Sequence, residues 1–240
     1  MPIYHIDDRL EFPPVEFTDS TGILGVGGDL SVDRLLLAYK NGIFPWYDPD
    51  DPIMWWSPDP RFILYPEDLH ISKSTRPLLR KQRFQVTFNR DFPKVIRNCK
   101  EIYRPGQRGT WISDELEAAY IELHERGIAH SVEVWEGNQL VGGLYGEMLG
   151  QVFFGESMFS LVSNASKVGF ITWVRNLHRE GVKLIDSQVH SNYLEGMGAR
   201  HIPRPQFLKH LQEWTEAPLS LARLRKNFTQ DADFLIKPNF

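Results

Sequence analysis

The sequence predicts an α+β fold, with a small N-terminal domain ahead of a larger one whose mixed, mainly antiparallel sheet is flanked by helices. Three observations predict it. Residues 129–135, 139–148 and 151–158 are successive apolar strand patterns separated by the turn sequences Glu136-Gly137-Asn138 and Leu149-Gly150, as in an antiparallel meander. Helical patterns at 113–127 and 164–180 bracket that meander. The first sixty residues share neither pattern and are rich in glycine, proline and tryptophan. At 240 residues, 42% of them hydrophobic, the chain is long enough to bury such a core.

From the N-terminus, the glycines between Gly22 and Gly28 read as turn chemistry, since their spacing fails the dinucleotide fingerprint and no strand-helix-strand unit surrounds them. Ser31 reads as the N-cap of a helix over 32–40 that ends at Asn41-Gly42. Prolines in Phe44-Pro45-Trp46-Tyr47 and Trp55-Trp56-Ser57-Pro58-Asp59-Pro60 argue against ordinary strand pairing, so the tryptophans are expected on stiff loops. A boundary is expected near residues 60–65, giving domains 1–62 and 63–240, the second with an extension from about 218. Helices at 76–81 and 91–100 enclose a strand at 84–88. Ser113 caps the next helix and Gly127 stops it, with Leu116, Ala119, Tyr120 and Leu123 on one apolar stripe. After the meander come the helix opened by Asn164, a strand over 183–189, a short helix near Asn192 and a last helix over 205–214. Helices, antiparallel strands, helix, strand is the order of the acetyltransferase-like (GNAT) architecture.

The formal charge of −4 hides an asymmetry. Residues 71–110 hold eleven basic side chains (Lys73, Arg76, Arg80, Lys81, Arg83, Arg90, Lys94, Arg97, Lys100, Arg104, Arg108) against Asp91 and Glu101. This stretch is either a solvated basic face or a binding surface for phosphates. Cys99 is the only cysteine, which excludes an internal disulfide and a cysteine-cluster metal site. The eight histidines show no metal-ligand spacing, and no nucleophile elbow is present, so neither a metal nor a cofactor is expected. The N-terminus lacks the basic and apolar regions of a signal peptide and no apolar run nears membrane-spanning length; a soluble cytoplasmic protein with no membrane contact is expected.

Acids inside apolar strands point to chemistry. Glu156 sits in Phe153-Phe154-Gly155-Glu156-Ser157-Met158-Phe159-Ser160, and Asp186 with Gln188 in Leu184-Ile185-Asp186-Ser187-Gln188-Val189. Side chains alternate along a strand, so Asp186 and Gln188 are expected on one face. A carboxylate in such surroundings is paired, shifted in pKa, or part of a site. Acyl-CoA enzymes of this architecture place a glycine-rich pyrophosphate loop after the central strand, and here that place holds Glu156-Ser157-Met158-Phe159-Ser160-Leu161-Val162-Ser163-Asn164, without a glycine. Acyl-CoA is therefore disfavoured. Phe170, Trp173 and Leu177 share a face of the 164–180 helix, as plain core or as the lining of a cavity with Leu144, Phe153 and Ile185.

Eight blocks in order carry a resemblance: Gly27-Gly28-Asp29-Leu30-Ser31, Gly42-Ile43-Phe44-Pro45-Trp46, Trp55-Trp56-Ser57-Pro58-Asp59-Pro60-Arg61, Gly109-Thr110-Trp111-Ile112, His130-Ser131-Val132-Glu133-Val134-Trp135, Gly155-Glu156-Ser157-Met158-Phe159-Ser160, Asn164-Ala165-Ser166-Lys167 and Leu184-Ile185-Asp186-Ser187-Gln188-Val189. Together they resemble the leucyl/phenylalanyl-tRNA protein transferases. The resemblance implies a GNAT-like C-terminal domain and an enzyme that moves Leu, Phe or Met from aminoacyl-tRNA to the α-amino group of proteins with N-terminal Arg or Lys. The new peptide bond marks those proteins for degradation by the N-degron pathway.

By the same resemblance the aminoacyl side chain would lie against Leu144, Phe153, Phe170, Trp173, Leu177 and Ile185, and the terminal adenosine of the tRNA against Trp46, Trp111 and Tyr39. The tRNA phosphates would meet Lys73, Arg76, Arg80, Lys81, Arg83 and Arg90. Asp186 and Gln188 would orient the attacking amine and accept its proton, and Glu156 would either pair with the acceptor side chain or fix Gln188. Rival readings are another GNAT-like acyltransferase, including the tRNA-dependent kind that builds cell-wall peptides, and a catalytically idle RNA-binding module. The missing pyrophosphate loop counts against the first and the Asp186 and Gln188 pair against the second.

Overall fold

The computed structural model describes residues 3–103 and 110–219. Arg104, Arg108, Gly109 and the chain beyond residue 219 lie outside the described residues. Four short strands, β1 (Tyr4–Ile6), β2 (Ile23–Gly27), β3 (Phe44–Pro45) and β4 (Met54–Trp56), make a small sheet in the order β1-β2-β4-β3. Two expectations are corrected here. The glycine-rich segment is a strand whose last residue, Gly27, takes a left-handed φ. The proline and tryptophan segments pair with each other, Phe44 with Trp56 and Pro45 with Trp55. Pairing is compatible with Pro45 because β3 is an edge strand two residues long. Helix α1 (Val32–Lys40) begins as expected, the Ser31 hydroxyl accepting from the Arg34 amide.

The large sheet has seven strands: β5 (Arg61–Leu64), β6 (Gln85–Phe88), β7 (Ala129–Glu136), β8 (Gln139–Leu149), β9 (Val152–Ser160), β10 (Leu184–Asp186) and β11 (Arg200–Ile202). Their order is β11-β5-β10-β9-β8-β7-β6, antiparallel except where β10 runs parallel to β9. The helices are α2 (Arg76–Arg80), α3 (Phe92–Glu101), α4 (Asp114–Glu125), α5 (Ala165–Glu180), α6 (Asn192–Glu195) and α7 (Arg204–Trp214). Strand alternation sends Phe153 into a cluster with α5 and Phe154 into one with α1, α3, α4 and α7, so the sheet is covered on both faces.

Two irregularities in β9 position the site. Strand β10 pairs with β9 only at Val152, Phe153 and Phe154; beyond them the two strands part and the sheet opens into a wedge. On the other side the ladder slips. Tyr145 pairs with Ser157 but Gly146 pairs with Gly155, which leaves Glu156 as the extra residue of a β-bulge. The strands approach closely there, and a Cβ on Gly146 would lie 2.0 Å from the Phe154 carbonyl oxygen.

Candidate active site

The wedge between β9 and the chain leaving β10 holds a cleft of about 460 Å³. Gly155 to Met158 form one wall and Ser187 to Ser191 the other; Leu144, Phe153, Phe170 and Ile185 supply an apolar floor, and Trp46 and Trp111 stand at its border. Six expected residues thus meet in one hollow, with Glu156 and Gln188 beside them. Trp173 and Leu177 do not join them. Both are fully buried, Trp173 among the rings of Phe88, His130 and Phe153, because α5 is packed on nearly all sides and their turn of the helix faces the core behind the floor. Tyr39 is also sealed, its hydroxyl 2.5 Å from that of Tyr120, so it backs the site rather than lining it.

Strand β10 stops at Asp186 instead of running to residue 189, and Gln188 takes a left-handed φ of 55°. The expected shared strand face is therefore replaced by a turn. The Gln188 amide donates to Asp186 Oδ1 at 3.0 Å, and the side-chain Nε2 donates to Glu156 Oε1 at 2.9 Å. Asp186 itself is fully buried. Arg61 grips it at both oxygens, Nε to Oδ1 at 2.9 Å and Nη2 to Oδ2 at 2.6 Å, while Nη1 donates to the Gly42 carbonyl. The guanidinium lies between the rings of Phe44 and Phe207, each centroid 4.7 Å away. With both oxygens engaged, Asp186 meets the cleft only through the turn that it holds.

Glu156 is half-buried and receives the Tyr120 hydroxyl on Oε2 at 2.9 Å. Burial lifts its pKa to about 7, against the lowering pull of the adjoining Tyr120, Tyr39 and Glu147 side chains. Glu147 lies behind it on β8, fully buried, and burial together with the Glu156 charge pushes its carboxyl well above the usual range. Burial likewise raises both tyrosines. Arg61 and Glu147 were not expected in the site, and Tyr120 was expected only as part of the apolar stripe of its helix, whereas its hydroxyl reaches Glu156. The available signal for Glu147 was an acid inside an otherwise apolar strand; Arg61 ends the tryptophan and proline block and gives no such sign.

Lys73, Arg76, Arg80, Lys81, Arg83 and Arg90 are all exposed, around α2 and β6. Arg83 is bound to Glu136 at 2.6 and 3.1 Å, and Arg90 lies over the Trp135 ring at 4.8 Å. Strand β6 is three places from β9 in the sheet, roughly 14 Å at the usual strand spacing, so this basic surface is separate from the cleft. Among the described residues no group of three or more His, Cys, Asp or Glu side chains could hold a metal ion, and no helix is long and apolar enough to cross a membrane.

The chain matches the family model described as leucyl/phenylalanyl-tRNA protein transferase over residues 63–212, and that of the family's N-terminal domain over 28–59. A leucyl/phenylalanyl-tRNA protein transferase of Christiangramia forsetii is 56% identical over 211 residues, covering 87% of this chain and all of that one. Another, of Flavobacterium johnsoniae, is 54% identical over 210 residues, covering 88% and 99%. Among solved structures, a GCN5-related N-acetyltransferase from Kribbella flavida aligns with a TM-score of 0.35 at 11% identity, covering 70% of this chain and 59% of that one.

Proposed function

Because the chain belongs to the leucyl/phenylalanyl-tRNA protein transferase family, we propose that its cleft holds the aminoacyl ester of a charged tRNA while a protein α-amine attacks the ester carbonyl. The observation that carries this reading is the junction of an apolar floor with Glu156 and Gln188 in one hollow of about 460 Å³. The large sheet is read as GNAT-like, its wedge beside β9 serving an aminoacyl ester in place of acyl-CoA. Leu144, Phe153, Phe170 and Ile185 take the leucyl, phenylalanyl or methionyl side chain, and Trp46 and Trp111 flank the terminal adenine. The exposed basic surface around α2 and β6 holds phosphates without reading sequence, leaving selection to the aminoacyl group.

An aminoacyl ester is already activated, so positioning is the main task. The attacking α-amine, with pKa near 7.7–8.0, is partly neutral at pH 7 and needs only a modest base. Glu156 suits that step: it borders the cleft, has a pKa lifted by burial to about 7, and accepts from Gln188 Nε2, which leaves the Gln188 carbonyl oxygen to meet an incoming amine. The C–N bond forms, the C–O bond to the ribose breaks, and the amine's proton passes to Glu156 and on to the leaving ribose oxygen. Asp186, engaged by Arg61, positions the Gln188 turn instead of receiving the proton directly. The acceptor begins with arginine or lysine, and the modified protein is thereby marked for degradation.

The test is transfer from leucyl-, phenylalanyl- and methionyl-tRNA to peptides beginning with arginine, lysine or alanine. Transfer to the basic N-termini alone is expected. Binding of charged and uncharged tRNA with equal affinity and no transfer would leave only an RNA-binding module.

A further inference from the structure

Glu147 is a fully buried acid for which the mechanism has no use so far. It stands opposite Ala129 on one side and Phe154 on the other, one residue beyond the bulge that turns Glu156 into the cleft. Among the described residues, no neighbour closes a hydrogen bond of normal length and angle on either of its oxygens. Among the described residues, the titratable groups that act on it are Tyr39 from α1, Tyr120 from α4, and Glu156 from β9. Tyr145 adjoins Tyr120 from β8, and His124 of α4 is turned to the Ala129 carbonyl at 2.8 Å. An isolated buried carboxylate is far costlier than a neutral acid, and two adjoining carboxyls cannot both ionise readily.

We propose that Glu147 is a positioning residue for aminoacyl transfer: it stays a neutral acid, shares one proton with Glu156, and through that proton sets the charge of the carboxyl that borders the cleft. This rests on the transferase reading of the cleft. With the proton on Glu147, its hydroxyl points at Glu156 and steadies the carboxylate that accepts from Gln188 and from the amine. Tyr39 and Tyr120, whose hydroxyls are joined and end on Glu156 Oε2, form a second arm of the same cluster. The two arms leave Glu156 as the member of the cluster in contact with the cleft.

The experiment compares the full chain with Glu147→Gln and Glu147→Leu, measuring leucyl transfer to an arginine-initiated peptide from pH 5.5 to 9, and the thermal midpoint of each. Glutamine keeps a neutral donor beside Glu156, so its acid limb should stay with that of the wild type. Leucine removes the donor, and the limb should move to higher pH, with transfer at pH 6.5 reduced at least fivefold while transfer at pH 8.5 is nearly unchanged. A uniform loss at every pH in Glu147→Leu, or an acid limb that does not move, would overturn the proposal and leave Glu147 a packing residue. Carbon-13 detection of glutamate carboxyls gives a readout independent of activity. Glu147 and Glu156 should take up one proton between them from pH 9 to 5.5, with the second already bound at pH 9. Should transfer fail in the wild type too, the transferase reading falls, and the carboxyl titration still decides the shared proton.

Discussion

Arg61 and Asp186 form a bidentate ion pair sealed from solvent, 2.9 and 2.6 Å at its two contacts, that ties β5 to the end of β10 and, through the Gly42 carbonyl, to the segment following α1. Removing one partner of such a pair strands the other charge. Asp186→Ala should therefore destabilise the protein by about 3–5 kcal/mol and lower Tm by roughly 6–20 °C. Arg61→Ala should do the same. Thermal unfolding of both, beside the double variant Arg61→Met with Asp186→Leu, checks the point: the double variant should be the most stable of the three. If Asp186→Ala retains the wild-type Tm, the pair is not coupled as described.

Glu156→Gln and Gln188→Ala should differ from that pattern. Glutamine at 156 keeps the size of the side chain but removes the base, so the transfer rate constant should fall about 10²- to 10⁴-fold while Tm stays level or rises. Gln188→Ala removes the donor to Glu156 and should lower transfer with little effect on tRNA affinity. Single-turnover transfer with saturating leucyl-tRNA distinguishes these outcomes from a binding defect.

Trp46 and Trp111 border the cleft, Trp46 being 38% exposed and tilted against Trp56 at 5.4 Å. If each stacks on the terminal adenine, loss of one ring is worth about 1–3 kcal/mol, so alanine variants should raise KM for aminoacyl-tRNA roughly 5- to 150-fold with kcat less affected. A KM within twofold of the wild type would make them scaffold.

The buried acids give stability an unusual dependence on pH. Glu147 and Glu156 both have folded pKa values above their unfolded ones, so between about pH 4.5 and 7 the folded state holds more protons than the unfolded state. Their contribution is fully present below the unfolded value and is lost as pH rises through the folded one. Urea denaturation at fixed salt should accordingly show stability from this pair falling as pH increases from 5 to 8, and Glu147→Gln should flatten that slope. A steeper slope in the variant would contradict the assignment.

The basic surface predicts a salt effect. Alanine at Lys73, Arg76 or Arg80 should weaken charged and uncharged tRNA alike and reduce the slope of log affinity against log salt by about one unit for each phosphate no longer neutralised. Arg83, already bound to Glu136, should matter least of the six.

Legibility followed periodicity. The stripe of Leu116, Ala119, Tyr120 and Leu123 gave α4, and three successive apolar runs parted by the turn sequences Glu136-Gly137-Asn138 and Leu149-Gly150 gave the meander. β3 and β4 were hidden because two- and three-residue strands carry no readable period and Pro45 argues against pairing. Gln188 was read as strand because its left-handed turn is stabilised by Asp186 two residues earlier, a side-chain contact invisible in the pattern. Trp173 and Leu177 share a helical face with Phe170, yet of the three only Phe170 reaches the wedge, since a cleft that narrows behind its floor is a property of strand divergence rather than of helix periodicity.

The extra residue at position 156 makes the length of β9 as consequential as its chemistry. Excising Glu156 would let β8 and β9 zip into an unbroken ladder, a more regular and sturdier sheet, but the acid would be gone from the hollow. Sturdiness and turnover are set against each other at one peptide unit, and shortening the strand there should yield a well-folded, inert protein.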